Sequence, residues 1–223
     1  MRKHMILAAL LTLIGLPVTH AQQWKEGTNY YPVVPPQRTS VPPGKIEVTE
    51  VFSYACPYCA QFNPLVQQLR RSLPANAQLV FVPASFNTAE DWPMFQRAAC
   101  TAQALGILDK THDAMFDAVW RTGELAVTDP QTRRIKDPLP TIQDAARFYN
   151  RVSGIAVDKF IAASTSFSVE NAMRAADALV LAYHVDGTPT LIVNGKYRIS
   201  VGSAGGPNEM IEIAKWLVAR ESR

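Results

Sequence analysis

The sequence predicts an α/β fold whose sheet starts early in the chain, is interrupted by an all-helical block and is completed near the C-terminus. Three observations carry this. Residues 45–83 read as strand, helix and strand; residues 88–184 show helical periodicity with no strand pattern; and strand alternation returns only over residues 189–200, turning on Asn194-Gly195, a strong hairpin signal. Residues 45–87 and 185–223 are therefore expected to form one split domain around a helical insertion at 88–184.

The chain opens with Arg2, Lys3 and His4, followed by an uncharged run over residues 5–18 and by Thr19-His20-Ala21. A basic start, a short apolar core and a small final residue form the pattern of a secretory signal peptide over residues 1–21, cleaved after Ala21. The apolar core is too short for a comfortable membrane span. No cysteine adjoins the cleavage site, so a lipid anchor is not expected. The formal net charge of +3 loses Arg2 and Lys3 with the leader, which leaves a nearly neutral mature protein and no case for a nucleic-acid partner.

Residues 22–44 are polar and carry Pro32, Pro35, Pro36, Pro42 and Pro43, the composition of an extended lead-in with one short edge strand near 30–33. The first strong strand covers 45–52, where alternation sets Ile46, Val48, Glu50 and Phe52 on one face. A helix follows from 56 to about 73, with Pro64 predicting a kink. A strand at 78–83 then completes a parallel strand-helix-strand unit. Within the block, Asp91 as N-cap and Pro93 in the first turn open a helix at 92–105, closed by Gly106. Met115, Phe116, Val119 and Trp120 form the apolar stripe of a helix at 109–121. A charged, proline-bearing connection over 128–140 leads to helices at 141–152, 158–164 and 168–183. The hairpin strands, 189–193 and 196–200, precede a final helix at 207–220.

Cys56-Pro57-Tyr58-Cys59 stands between the first strand and its helix. At the mouth of a helix the two cysteines lie one turn apart on the same side, with Cα atoms about 5 Å apart, inside disulfide range. Cys56 meets the unpaired N–H groups and the positive end of the helix dipole, which stabilise its thiolate, while Cys59 is a turn further in and more buried. Cys56 is thus expected to attack or be attacked, and Cys59 to resolve the mixed disulfide. Other readings are weaker. A structural disulfide closing so small a ring contributes only about 2 kcal/mol. Zinc needs about four ligands, and beyond the pair the chain after the leader offers Cys100, His112 and His184. Haem attachment wants a histidine where Ala60 stands. Sparse cysteines in an exported chain point to a catalyst of disulfide exchange rather than a disulfide scaffold. Cys100 reads as a small core residue, and His184, in the last turn of its helix, as a cation at the negative end of the dipole.

Residues 50–62, EVFSYACPYCAQF, together with residues 187–197, GTPTLIVNGKY, resemble the DsbA family of periplasmic thiol:disulfide oxidoreductases, and the similarity in order and spacing runs over about residues 24–216. The resemblance implies a thioredoxin fold with an inserted all-helical domain, a periplasmic location, and donation of the Cys56-Cys59 disulfide to reduced, newly exported proteins. It also implies reoxidation by a DsbB-type membrane quinone reductase, a monomer, and no cofactor or metal beyond the cysteine pair. Catalysis is then expected of Cys56, Cys59 and Glu50, the last resembling a buried acid beneath the disulfide that relays a proton to or from Cys59. A lone acid among apolar neighbours should have a raised pKa. Pro189 resembles the cis-proline facing the cysteine pair, and Thr188 offers its backbone to a substrate strand. Two departures stand out. Pro57-Tyr58 replaces the Pro-His of the best-known members, and tyrosine cannot lend the positive charge of a histidine; residues 78–85 also lack a lysine that accompanies the buried acid in some relatives. Two alternatives are a reductase or isomerase of the same fold, although exported isomerases carry an added dimerisation domain that the lead-in is too short to supply, and a binding or chaperone-like module with a dormant pair.

Overall fold

The computed structural model describes residues 24–223, and the expected leader lies outside the described residues. One mixed sheet holds five strands in the order β1-β5-β4-β2-β3. The strands are β1 (Tyr31–Pro32), β2 (Ile46–Phe52), β3 (Ala77–Pro83), β4 (Thr190–Val193) and β5 (Tyr197–Ser200). β2 pairs in parallel with β3 through the connecting helix α1 (Pro57–Ser72) and antiparallel with β4. A strand with neighbours on both sides and helices over both faces has no outward side, and all seven residues of β2 are buried. The face expected to be apolar is therefore matched by a second buried face carrying Glu47 and Thr49. Glu47 is held by partners: Ser40 donates to Oε2 through its backbone N–H and its hydroxyl, both at 2.6 Å, and Thr49 Oγ1 donates to Oε1 at 2.8 Å.

The lead-in folds back along the far edge of the sheet. Val33 N donates to Lys196 O at 2.7 Å and Gln37 N to Gly195 O at 2.9 Å. Asn194 and Gly195 turn the hairpin with φ of 53° and 64°, the left-handed pair that a two-residue turn demands. At 195 a Cβ would stand 2.1 Å from Gln37 O, so the approach of the lead-in as well as the turn calls for glycine.

Between β3 and β4 lie five helices: α2 (Trp92–Ala104), α3 (Leu108–Trp120), α4 (Ile142–Ser153), α5 (Val157–Ser164) and α6 (Phe167–Ala182). The block docks on the open edge of β3, where Gln103 Nε2 donates to Phe81 O at 2.8 Å and Gln96 Nε2 to Pro83 O at 3.2 Å. Two short elements have no sequence signal, a 3-10 turn at Thr88–Glu90 and the one-turn helix α7 (Val201–Ala204) before α8 (Pro207–Glu221). Asp91 occupies the N-cap position of α2 but has φ 56°, and its side chain makes no cap bond. Capping needs an extended backbone to aim the side chain at the first-turn N–H groups, and the reversal out of the 3-10 turn denies it. Thr141 does have that backbone and forms a full capping box with Asp144 on α4. α6 ends at Ala182, so His184 falls outside it at φ 53°, with its N–H bonded to Leu181 O, rather than in a last helical turn.

The connection after α3 is an ordered arm. Thr128 and Ile135 form a bridge. Asp129 Oδ1 gathers the turn by accepting from Gln131 N, Thr132 N and Thr132 Oγ1 at 3.0, 2.7 and 3.0 Å.

Candidate active site

β2 ends at Phe52 and the chain turns through Ser53, Tyr54 and Ala55 into α1, which delivers Cys56 to the N-cap position with extended backbone, φ −84° and ψ 117°. Pro57 at the first helical position has no N–H to leave unsatisfied. Both dipeptide residues, Pro57 and Tyr58, are exposed, Tyr58 at 68%. Cys56 is 4% and Cys59 0% exposed, and both are free thiols. The turn is pinned from the helical block. Tyr54 O accepts from Trp120 Nε1 at 2.8 Å, and Tyr54 OH meets His112 Nδ1 at 2.9 Å. His112 lies among Phe52, Phe81 and Phe116, and burial pushes its pKa down to about 3, so it sits in the core as a neutral ring.

The Cys56 thiol donates to Thr188 O at 3.4 Å, across 132 positions of sequence. The Thr188-Pro189 bond is cis, and Pro189 is buried. The pKa of Cys56 is lowered to about 6. The thiol of Cys59, hydrogen-bonded to it, is the largest cause; burial opposes, and the Thr188 side chain and the N–H groups of Cys59 and Tyr58 add to the lowering. Cys59 moves the other way, well above an ordinary thiol, through its burial and then its bond with Cys56. One thiol is thus set up as the anion and its neighbour as the proton holder, the asymmetry a stepwise exchange needs.

Glu50 is fully buried and neither carboxyl oxygen has a hydrogen-bond partner. Burial first, and the charge of Cys56 second, raise its pKa to about 8. Such a group exchanges a proton near neutrality. The sequence thus points to Cys56, Cys59, Glu50, Thr188 and Pro189, which converge from β2, α1 and the start of β4. Trp120 is a contributor the sequence does not single out, since a tryptophan ending an apolar stripe gives no local sign of reaching the turn before Cys56. Cys100 is elsewhere, buried in α2, and burial lifts its pKa to about 12, which makes it inert.

The site is flanked by cavities. One of about 350 Å³ lies between Tyr58, Phe62, Leu65, Pro189, Val201 and Pro207. Ala55 and Pro57 share a second cavity, of about 460 Å³, with the arm.

Residues 47–208 match the family model described as a DSBA-like thioredoxin domain. The thiol:disulfide interchange protein DsbA of Pseudomonas aeruginosa is 33% identical over 221 residues, covering 98% of this chain and 97% of its own length. That of Azotobacter vinelandii is 37% identical over 179 residues, covering 80% and 76%. Among solved structures, P. aeruginosa DsbA superposes with a TM-score of 0.76 at 33% identity, covering 90% of this chain and 96% of that one. The oxidoreductase DsbA from Xylella fastidiosa gives 0.76 at 32%, covering 87% and 96%.

Proposed function

The chain belongs to the family of DSBA-like thioredoxin domains and is a thiol:disulfide oxidoreductase, and from that premise we propose that it works as a dithiol oxidase, donating the Cys56-Cys59 disulfide to reduced exported proteins. The observation that carries this reading is the hydrogen-bonded cradle at Cys56, which lowers its pKa to about 6. A thiol whose anion is stabilised leaves readily and favours the reduced form, so the disulfide is a strong acceptor of electrons.

In the proposed cycle a client thiolate attacks Cys56 Sγ of the disulfide. The Cys56–Cys59 bond breaks, the mixed disulfide forms, and Cys59 leaves as a thiolate in a buried site. Glu50, protonated up to about pH 8, gives it a proton. A second client thiolate then attacks the client sulfur and expels Cys56 as a thiolate. The client has lost two electrons and the cysteine pair has gained them. Thr188, half-buried beside Pro189, offers backbone groups to the client strand. The pair is itself the redox centre, so the reaction calls for no cofactor. A DsbB-type membrane quinone reductase would restore the disulfide; the leader pattern of residues 1–21 supports a periplasmic site of work, and the proposed catalyst is a monomer.

The test is equilibration of the pair against glutathione, combined with thiolate absorbance as a function of pH. The expected result is a Cys56 pKa well below that of a free thiol and a potential more oxidising than that of thioredoxin. A thioredoxin-like potential would make the protein a reductase instead. Full oxidation of a reduced model protein by Cys56→Ser would remove the exchange mechanism altogether.

A further inference from the structure

At i, i+3, i+4, i+7 and i+11 along α3 stand Asp109, His112, Asp113, Phe116 and Trp120, a spacing that puts all five on one face of the helix. That face holds both supports of the cysteine pair. On the helix that carries Cys59, Arg70 pairs with Asp109, and Asn63, one turn beyond Cys59, donates from Nδ2 to Asp113 Oδ1 at 2.9 Å. On the turn that carries Cys56 the contacts converge on Tyr54. Trp120 Nε1 donates to its carbonyl, His112 Nδ1 bonds its hydroxyl, and Phe116 stands edge-on to its ring at 5.0 Å. Tyr54 is thus gripped at main chain, ring and hydroxyl, two positions before Cys56.

The grip reaches the sulfur through its donors. Apart from Thr188, the groups that stabilise the Cys56 thiolate are the Cys59 thiol and the N–H groups of Cys59 and Tyr58, all on the first turn of α1. The backbone of Cys56 belongs to the turn, and its own N–H donates to Ser53 O at 3.1 Å. How well the sulfur meets its donors therefore depends on where the turn stands relative to α1, and α3 is bonded to both. We propose that Trp120 is a positioning residue of the redox site: by holding Tyr54 on the helix face that also holds α1, it keeps the Cys56 sulfur among its donors and so sets how strongly the pair oxidises. The helical block then tunes the potential of the cysteines it stands beside. The inference rests on the oxidase reading and adds to it the part of the fold that sets the oxidising strength.

The test compares wild type with Trp120→Phe, which keeps an aromatic ring and removes the N–H, and with Trp120→Leu, which removes the ring as well. Trp120 is 42% exposed, so neither change opens the core. Val169→Ala, at a buried position of α6, supplies a loss of stability without touching this network. For each protein the Cys56 titration is followed by thiolate absorbance, the pair is equilibrated against glutathione, and urea stability is measured. In both Trp120 variants the titration should move upward by about 0.5 to 1 pH unit and the glutathione equilibrium by about three- to tenfold toward the disulfide, the weight of one hydrogen bond. Val169→Ala should lose urea stability and move neither reading. An unmoved or downward titration in Trp120→Phe would overturn the proposal, and a shift confined to Trp120→Leu would do so by tracing the effect to the ring. Shifts of equal size in Val169→Ala would overturn it too, since any loosening of the fold would then suffice. A thioredoxin-like potential in the wild type would remove the oxidase reading, while the displacement between wild type and Trp120→Phe would still decide the positioning role.

Discussion

Glu47 and Glu50 stand three residues apart on β2, on opposite faces of the strand, and both are buried. Glu47 accepts three hydrogen bonds, two from Ser40 and one from Thr49. Glu50 accepts none, faces the cysteine pair electrostatically, and holds its proton up to about pH 8. Depth alone does not separate them; the supply of donors does. A buried carboxylate that is given donors ties the lead-in to the sheet, whereas one denied them becomes a proton store.

The largest effect expected from this contrast is on stability against pH in the dithiol form. Folded Glu50 keeps its proton up to about pH 8, while an ordinary carboxyl loses it near 4.5, so folding binds a proton in between and stability falls as pH rises. The slope is about 1.4 kcal/mol per pH unit, or about 5 kcal/mol over the window. Cys56 works oppositely. It is a thiolate when folded above about pH 6 and a thiol when unfolded up to about 9, so its contribution grows with pH over that range and is lost as pH falls through 6. His112 is neutral when folded down to about pH 3 but an ordinary imidazole when unfolded, so below about pH 6.5 its contribution rises with pH and offsets that of Glu50. The contribution of Glu50 is therefore read as the difference in urea stability between the reduced wild type and Glu50→Gln, which should decline steadily from pH 4.5 to 8. A difference that stays constant over that range would end the claim that Glu50 stores a proton.

Next in size, Glu47→Ala should cost about 3 kcal/mol by removing three bonds to a carboxylate and leaving the buried Thr49 hydroxyl without that acceptor, with the thiolate titration of Cys56 unmoved. Unchanged urea stability would mean that the three bonds do not hold the lead-in. Cys56→Ser sharpens the contrast from the other side. It should lower the Glu50 pKa only part of the way, because burial and not the thiolate is its larger cause. A ¹³C carboxyl titration returning an ordinary carboxylate value would reverse that ranking. The smallest effect belongs to Ser40→Ala, which removes the hydroxyl bond to Glu47 and keeps the backbone one, at about 1 kcal/mol in a urea midpoint.

Much of this was legible in the order of residues. Alternation over 45–52 and the Asn194-Gly195 turn locate the strands to within a residue or two, because those signals are local. The motif residues around Cys56 and Pro189 could be named because each sits at a strand end with a recognisable neighbourhood. What was hidden depends on partners far along the chain. Glu47 gives no local sign that Ser40 will satisfy it, and β2 gives no sign that both of its faces will be covered. The arm reads as a proline-bearing connection, since the cavity it makes needs Ala55 and Pro57 from another element. α7 and the 3-10 turn are shorter than the period that reveals a helix. Asp91 misleads because the residue type fits a cap and the backbone does not.

The two margins of the sheet deserve a last consequence. On one side β1 is two residues long and includes Pro32, which has no N–H to offer; on the other, Gln96 and Gln103 occupy carbonyls of β3. An unfolded client arrives with bare strands looking for an edge to extend, and an open margin would let it nucleate an aggregate on its own catalyst. With both margins closed, the ground beside Pro189 is what remains for the strand of the proposed client, and the rest of the sheet offers such a chain little bare backbone to extend.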